Sequence, residues 1–213
     1  MIKAVLFDLD GTLLDTLDDL AAAVNHALRT CGYPVRTRDE VRAFIGNGVI
    51  RLMQRAMPTD ASQAEFDRCF ALFRSYYLSH MTDLTCVFPG ILPLLQALRE
   101  RGVQTAVVSN KLHAGVTGLC SDYFGNLIDC AFGVQEEGER KPNPRNVFRA
   151  LEHLGVKQEH AVYVGDSEVD VQTATNAGLC CIGVTWGYRD KDTLLQAGAD
   201  MLIDTPKQLL TLL

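Results

Sequence analysis

The sequence predicts an α/β protein with a parallel β-sheet, interrupted after the first strand by an inserted bundle of helices. Short apolar runs bounded by turn residues recur along most of the chain, as expected of strands that are buried on both faces. Helical segments separate several of these runs, which is typical of right-handed crossovers between parallel strands. Residues 16–83 break this alternation, because they contain helical patterns alone.

Apolar runs place the strands, and glycines help to place the helices between them. Strands are predicted at 3–8, 104–108, 161–165 and 179–185, with weaker candidates at 130–134 and 200–203. The helical segments 90–101 and 145–154 each stop at a glycine, which readily ends a helix. Helices that cover both faces of such a sheet give a three-layer α/β/α core.

The insertion is predicted to be a small helical bundle. Its helices are expected at 17–31, 38–44, 48–57 and 62–81. Apolar residues fall on one stripe of the first and the last of these helices, which is typical of core packing. We therefore predict an α/β core at 1–15 and 84–213, with a helical domain at 16–83 inserted after the first strand.

Composition and charge exclude several function classes. The formal net charge of −6 disfavours nucleic acid as a partner. No apolar run approaches the roughly 18–20 residues of a membrane span, and no secretion signal opens the chain, so we expect a cytoplasmic protein without a membrane partner. The seven cysteines include no C-x-x-C pair, which favours reduced thiols over a disulfide framework or a zinc site.

The first chemical motif is Asp8-Leu9-Asp10-Gly11-Thr12, at the end of the first strand. If the chain stays extended through Asp10, the alternation of side chains directs both carboxylates to the same side. The Asp10-Gly11 pair predicts a turn that brings Thr12 back toward them. Two adjacent carboxylates need a cation or a shared proton, although a solvated acidic turn would also explain the pattern.

Two further motifs carry a hydroxyl and a cation. Ser109-Asn110 follows the second strand, where the hydroxyl could bind a phosphate oxygen or simply belong to a turn. Lys141 precedes Pro142-Asn143-Pro144, which should stiffen its loop, although taken alone it could be an ordinary surface lysine.

The fourth motif is Gly165-Asp166-Ser167-Glu168-Val169-Asp170, after the 161–165 strand. Asp166 and Asp170 could both hold magnesium, which prefers oxygen ligands. Ser167 and Asp170 also have the spacing of a capping box, so Asp170 could serve only to begin a helix. We favour a metal role for Asp166 and leave both roles open for Asp170.

Together these motifs resemble the haloacid dehalogenase-like superfamily. Its D-x-D-G-T, Ser/Thr, K-P-x-P and G-D-x-x-x-D elements occur here in that order. The resemblance covers nearly the whole chain and implies a Rossmann-like core, with the insertion at the position of the family's cap domain. Asp10 indicates the phosphotransferase branch, and "FIGNGVIRLMQRA" (44–56), "VFPGILPLLQALRERG" (87–102) and "SNKL" (109–112) resemble phosphoglycolate phosphatases.

The resemblance implies a magnesium-dependent hydrolase of a small phosphate monoester that works through an aspartyl-phosphate. It makes Asp8 the nucleophile, Asp10 the general acid and base, and Lys141 the cation that offsets their charge. The implied phosphate-binding residues are Thr12, Ser109 and Asn110, and the implied metal residues are Asp8, Asp10, Asp166 and Asp170. The cap loop Gly46-Asn47-Gly48 is expected either to contact the substrate or to be a plain turn between helices.

Alternatives to this function stay open at the level of the sequence. A β-phosphoglucomutase-like phosphotransferase, a phosphatase of pyrophosphate or another small phosphoester, and a silent binding module would all have this fold. A phosphonoacetaldehyde hydrolase is excluded, because it needs a cap lysine and no lysine occurs between Lys3 and Lys111. The expected partner is a small phosphorylated substrate, and the protein could be a monomer or a homodimer.

Overall fold

The chain divides into two compact units in the computed structural model, which describes residues 1–136 and 138–213. The first unit comprises Met1–Leu14 and Val87–Leu213, and the second comprises Asp15–Cys86. The second unit takes in Asp15 and residues 84–86, which we had placed in the core. The N–H groups of Leu84 and Thr85 donate to the Asp19 carboxylate of that unit. Two short strands, β2 (Leu14–Asp15) and β3 (Cys86–Val87), pair where the chain passes from one unit to the other.

The first unit is built on a six-stranded parallel sheet, in the order β5-β4-β1-β6-β7-β8. Its strands are β1 (Ala4–Phe7), β4 (Gln104–Leu112), β5 (Cys130–Val134), β6 (Ala161–Gly165), β7 (Cys180–Val184) and β8 (Met201–Ile203). All six lie at the predicted positions. The parallel sheet predicted from the buried apolar runs is thus confirmed.

Strand β4 is longer than its apolar run predicts. The run stops at Val108, but the strand continues through Ser109, Asn110 and Lys111 to Leu112. Its pairing with β5 shifts register between Val108 and Leu112, so the polar residues lie in an irregular stretch of strand. These residues therefore belong to the carboxyl end of the strand itself, whereas the apolar run alone placed Ser109 and Asn110 just beyond it.

Helices cover both faces of the sheet, as the alternation along β1 shows. Val5 and Phe7 belong to one apolar cluster, which contains residues of α5, α6 and α10, whereas Ala4 and Leu6 belong to a second cluster, with residues of α7, α8 and α9. These helices are α5 (Ile91–Glu100), α6 (His113–Phe124), α7 (Arg145–Leu154), α8 (Glu168–Asn176), α9 (Lys191–Ala197) and α10 (Pro206–Leu212). The predicted three-layer α/β/α core is confirmed.

The second unit is helical, and its helices lie close to the predicted bounds. They are α1 (Leu17–Cys31), α2 (Arg38–Phe44), α3 (Val49–Ala56) and α4 (Gln63–His80). Helix α1 packs along α4, and α2 and α4 each begin with a capping box, Thr37 with Glu40 and Ser62 with Glu65. Within the part of the chain that the structure describes, no helix is long and apolar enough to cross a membrane.

Candidate active site

The predicted site residues of the core follow strands that are neighbours in the sheet. Asp8 directly follows β1, Asp166 directly follows β6, and Ser109 lies in the last part of β4. Since β4, β1 and β6 are adjacent and parallel, their carboxyl ends meet at one edge of the sheet, where ligands bind in folds of this kind. The topology thus gathers side chains that are far apart in the sequence.

Three carboxylates and one lysine form the centre of the site. Carboxylate oxygens of Asp8, Asp166 and Asp170 lie within 4.8 Å of one another, and all three residues are buried. The Lys141 ammonium lies 2.8 Å from Asp8 Oδ1 and 2.7 Å from Asp170 Oδ1. Lys141 is only 6% exposed, so it is not the surface lysine that its loop alone would also allow.

Tyr163 provides a third partner for the lysine. The Lys141 ammonium donates to the Tyr163 hydroxyl over 3.2 Å, and that hydroxyl lies within donor distance of the Val108 carbonyl and of Asp170 Oδ1. An ammonium group has three N–H donors, and Asp8, Asp170 and Tyr163 supply three acceptors. The side chain of Lys141 is therefore held in one position by residues of strand β6, helix α8 and the segment that follows β1.

Burial and charge shift the pKa values of these groups. Burial raises the pKa of Asp8 well above its usual value, the Asp170 charge adds to the rise, and Lys141 opposes it. Burial alone would lower the pKa of Lys141, but the Asp170 and Asp8 carboxylates raise it well above its usual value. Three buried carboxylates that share one ammonium leave an excess of negative charge, which a divalent cation would balance.

The position of Asp166 is fixed by two loops that approach it closely. Its Oδ2 accepts from the Tyr188 backbone N–H at 2.7 Å, and its Oδ1 accepts from the Thr12 hydroxyl at 3.3 Å. A Cβ added at Gly11 would lie 2.3 Å from Asp166 Oδ2, and one added at Gly187 would lie 2.2 Å from Asp166 Cβ. Only glycine leaves room for the carboxylate between these loops. Burial and the Asp170 charge raise the pKa of Asp166 to about 7.

Asp170 uses both of its oxygens in hydrogen bonds. Oδ2 accepts from the backbone N–H and the hydroxyl of Ser167, which completes the capping box at the start of α8. Oδ1 accepts from Lys141 and lies near the Tyr163 hydroxyl. Asp170 thus begins a helix and also holds the lysine, while its oxygens stay within the carboxylate cluster. A direct role as a metal ligand remains a prediction for this residue.

Asp10 lies apart from this cluster and has a cation of its own. Its Oδ1 is 3.1 Å from the ammonium of Lys111, whose side chain is only 7% exposed. The turn after Asp10 is closed by a hydrogen bond from the Gly11 N–H to the Leu14 carbonyl. The two aspartates of the first motif are therefore paired with different lysines.

Ser109, Asn110 and Thr12 were predicted to bind phosphate, and this stays a prediction. Ser109 is 2% exposed, and its hydroxyl accepts from the Lys111 N–H. Asn110 Oδ1 accepts from the Lys141 N–H at 2.7 Å, and its amide nitrogen donates to the Lys141 carbonyl. Asn110 thus fixes the backbone of the lysine loop, while Thr12 supports Asp166.

The predicted cap loop lies in the second unit, between α2 and α3. Gly46 and Gly48 have positive φ values of 120° and 80°, which favour glycine, and Gly48 caps α3. The Arg55 guanidinium donates to the Phe44 carbonyl and to Asn47 Oδ1, both at 2.8 Å. Arg55 therefore braces the loop from α3. Substrate contact by this loop stays a prediction.

Sequence reasoning missed three contributors to the site. Tyr163 was counted only as an apolar residue of its strand, although a hydroxyl within AVYVG was a signal of a buried polar contact. Lys111 was quoted within "SNKL" but given no role, although it directly follows two predicted site residues. The Tyr188 N–H could not be inferred, because a backbone donor leaves no trace in the residue type.

Comparisons with known proteins point to one family. Residues 5–184 match the family model described as haloacid dehalogenase-like hydrolase. A phosphoglycolate phosphatase of Pseudomonas putida is 35% identical over 98% of this chain and 78% of its own length. A phosphoglycolate phosphatase of Rhodobacter capsulatus is 37% identical over 89% of this chain and 87% of its own length.

The similarity extends to solved structures. A crystal structure of a protein from Lactobacillus delbrueckii subsp. bulgaricus superposes with a TM-score of 0.92 at 35% identity. The match covers 97% of this chain and 96% of that protein, so it includes both units of the chain.

Proposed function

The chain belongs to the haloacid dehalogenase-like hydrolases, and from that membership we propose that it hydrolyses 2-phosphoglycolate through an aspartyl-phosphate on Asp8. It is a phosphoric monoester hydrolase. The proposal concerns the substrate, the metal and the roles of individual residues.

The observation that carries the mechanism is the contact between Asp8 and Lys141. A phosphate monoester repels nucleophiles because it is negatively charged, so an attacking carboxylate needs positive charge beside it. The Lys141 ammonium lies 2.8 Å from Asp8 Oδ1, and Asp170 and Tyr163 hold it there. Placed in this way, Lys141 would stabilise the charge that builds up on the transferring phosphoryl group.

The first half of the reaction transfers the phosphoryl group to the enzyme. A carboxylate oxygen of Asp8 attacks phosphorus, and the bond between phosphorus and the ester oxygen breaks. Asp10 gives its proton to the departing alkoxide, so glycolate leaves as an alcohol. Asp8 then carries the phosphoryl group, and Asp10 is left as a carboxylate.

The second half restores the enzyme. Asp10 takes a proton from a water molecule whose oxygen attacks the phosphorus of the aspartyl-phosphate. The bond between phosphorus and Asp8 breaks, inorganic phosphate is released, and Asp8 is a carboxylate again. The two aspartates thus have distinct tasks, which fits their pairing with different lysines.

The buried carboxylates fit a magnesium ion. Asp8 and Asp166, together with the backbone carbonyl of Asp10, would hold it, since magnesium prefers oxygen ligands. The ion would supply positive charge at the point where an anionic nucleophile meets an anionic phosphoryl group. Asp170 is less suited to direct ligation, because both of its oxygens already accept hydrogen bonds.

A turnover screen tests this function. The purified protein is offered 2-phosphoglycolate, pyrophosphate, sugar phosphates and p-nitrophenyl phosphate, with excess magnesium or with EDTA. We expect the highest kcat/KM for 2-phosphoglycolate, with turnover abolished by EDTA and restored by magnesium.

Other outcomes of the screen would contradict specific parts of the proposal. A sugar phosphate that is isomerised and not hydrolysed would indicate a phosphoglucomutase-like enzyme. Full turnover in a rigorously metal-free preparation would rule out the magnesium assignment, and a higher kcat/KM for pyrophosphate would overturn the proposed substrate.

A further inference from the structure

Lys111 is a buried cation for which the mechanism above has no use. Its ammonium lies 3.1 Å from Asp10 Oδ1, and its side chain is only 7% exposed. It lies near the end of β4, two residues beyond Ser109, whose hydroxyl accepts the Lys111 N–H. A buried ammonium is costly unless it has an anionic partner, and the partner of Lys111 is the residue that we propose as the general acid.

The contact with Asp10 indicates which part of the substrate lies near Lys111. Under the proposed function, Asp10 delivers its proton to the ester oxygen of the leaving group. A cation 3.1 Å from the Asp10 carboxylate therefore lies on the leaving-group side of the phosphoryl group. Lysine has three N–H donors, so the ammonium can keep its contact with Asp10 while a substrate anion takes the place of another acceptor.

Lys141 is not suited to the same task. Its three donors are matched by Asp8, Asp170 and Tyr163, and Asp8 places it on the nucleophile side. The two lysines thus divide the site, since one accompanies the attacking carboxylate and the other accompanies the proton donor.

We propose that Lys111 is a specificity-determining residue that binds a carboxylate on the leaving alcohol of the substrate. The preferred substrates are then small phosphomonoesters that carry a carboxylate close to the ester oxygen, as 2-phosphoglycolate does. This inference rests on the proposed function for the role of Asp10, but it concerns a residue that the mechanism itself does not require.

Matched pairs of esters test the proposal. In one pair, 2-phosphoglycolate carries a carboxylate where 2-hydroxyethyl phosphate carries an uncharged alcohol. In the other, 3-phosphoglycerate is compared with glycerol 1-phosphate. The ratio of kcat/KM within a pair measures how strongly the enzyme selects the carboxylate. It is determined for the wild-type protein, for Lys111→Met, which keeps the length but removes the charge, and for Lys111→Arg, which keeps the charge.

The wild-type protein should favour the carboxylate in at least one pair. Lys111→Met should lower that ratio by about 10- to 100-fold, the range typical of one lost charged hydrogen bond. Lys111→Arg should retain most of the preference. If Lys111 only supported the function of Asp10, its loss would lower kcat/KM equally for both members of a pair. The ratio of kcat/KM within a pair therefore separates binding of the substrate anion from a merely structural role.

Two results would overturn the role of Lys111. One is a uniform loss for charged and uncharged esters in Lys111→Met, and the other is a wild-type preference for the uncharged ester in both pairs. Turnover of 3-phosphoglycerate without turnover of 2-phosphoglycolate would instead refute the proposed substrate, and the role of Lys111 would then be decided by the ratio in that pair. Circular dichroism of both variants checks that they are folded.

Discussion

Asp8 and Asp10 are two positions apart, yet their surroundings differ. Asp8 is buried, lies 2.8 Å from Lys141 and shares a cluster with two other carboxylates. Asp10 is more exposed and lies 3.1 Å from Lys111. Both side chains carry the same carboxyl group, so only a measurement that separates the two half-reactions can distinguish their tasks.

Substitution by asparagine should separate the tasks. Asp8→Asn removes the attacking oxygen, so we expect no phosphorylated enzyme and no turnover. Asp10→Asn keeps the nucleophile but removes general acid and base catalysis, which is worth about 10²- to 10⁴-fold in rate. With p-nitrophenyl phosphate, whose leaving group needs little protonation, the first step should suffer less than the second. The phosphorylated enzyme should therefore accumulate in Asp10→Asn.

Acid quenching followed by mass spectrometry detects the phosphorylated enzyme as an added phosphoryl mass on the peptide that contains Asp8. Wild-type turnover by Asp8→Asn, or a phosphoryl group that maps to Asp10 or Ser109, would disprove the assignment of the nucleophile.

Single residues differ in how far the sequence reveals them. Lys141 was predictable as a candidate because its motif restricts the loop around it. The partners of Lys141 were harder to predict, because its contacts with Tyr163 and Asp170 span 22 and 29 residues of sequence and depend on the order of the strands. The pairing of Lys111 with Asp10 likewise joins strand β4 to the turn that follows β1. Residue types indicate which chemistry is available, whereas the fold decides which groups meet.

At the level of elements, a buried carboxylate ties the start of α1 to the end of the second unit. Asp19 is 2% exposed and accepts from the backbone N–H groups of Leu84 and Thr85 and from the Thr85 hydroxyl. Asp18, its neighbour in the same turn, is exposed and pairs with Arg38 at the surface. The two residues form a matched pair for mutation.

Asp19→Ala should lower the free energy of unfolding by about 2–4 kcal/mol, because it removes the acceptor of the buried Thr85 N–H and hydroxyl. Asp18→Ala should cost at most about 1 kcal/mol, as is usual for exposed ion pairs. Urea denaturation monitored by circular dichroism measures both values. Equal losses of unfolding free energy in the two variants would show that the buried hydrogen bonds of Asp19 stabilise the protein no more than the exposed ion pair of Asp18 does.

The secondary-structure elements differ in how well the sequence pattern predicts their bounds. Helices α1 and α2 begin and end at the residues predicted from the sequence, at 17–31 and 38–44. Strand β4 runs beyond its apolar residues to Leu112, since pairing with β5 supports a backbone whose side chains are polar. A strand that is stabilised by hydrogen bonds to its neighbour need not have an apolar sequence of its own.

For the whole molecule, the excess of buried carboxylates couples stability to pH and to metal. Burial and the Asp170 charge raise the pKa of Asp166 to about 7. The unfolded chain ionises this group near pH 4, so the metal-free protein loses stability as the pH rises from about 4 to about 7. A divalent cation binds the ionised carboxylates, so it should offset this loss above pH 7 and have little effect well below it.

Melting temperatures test this coupling. Excess magnesium, compared with EDTA, should raise the melting temperature by several degrees at about pH 8 and by much less at about pH 5. The shift should vanish in Asp166→Asn, which removes both the titrating group and a proposed ligand. An equal shift at both pH values, or a shift that persists in Asp166→Asn, would contradict the proposed metal site.

The pairing of β2 with β3 has a consequence for how such a chain can evolve. Because these strands are neighbours, the helical segment leaves and rejoins the sheet-containing unit at adjacent points. A genetic insertion, deletion or exchange of that segment would then leave β1 and α5 joined through a short connection, with the order of the six-stranded sheet unchanged. The chemistry of the carboxylates and Lys141 could thus be inherited intact while the segment that accompanies it is replaced as one module.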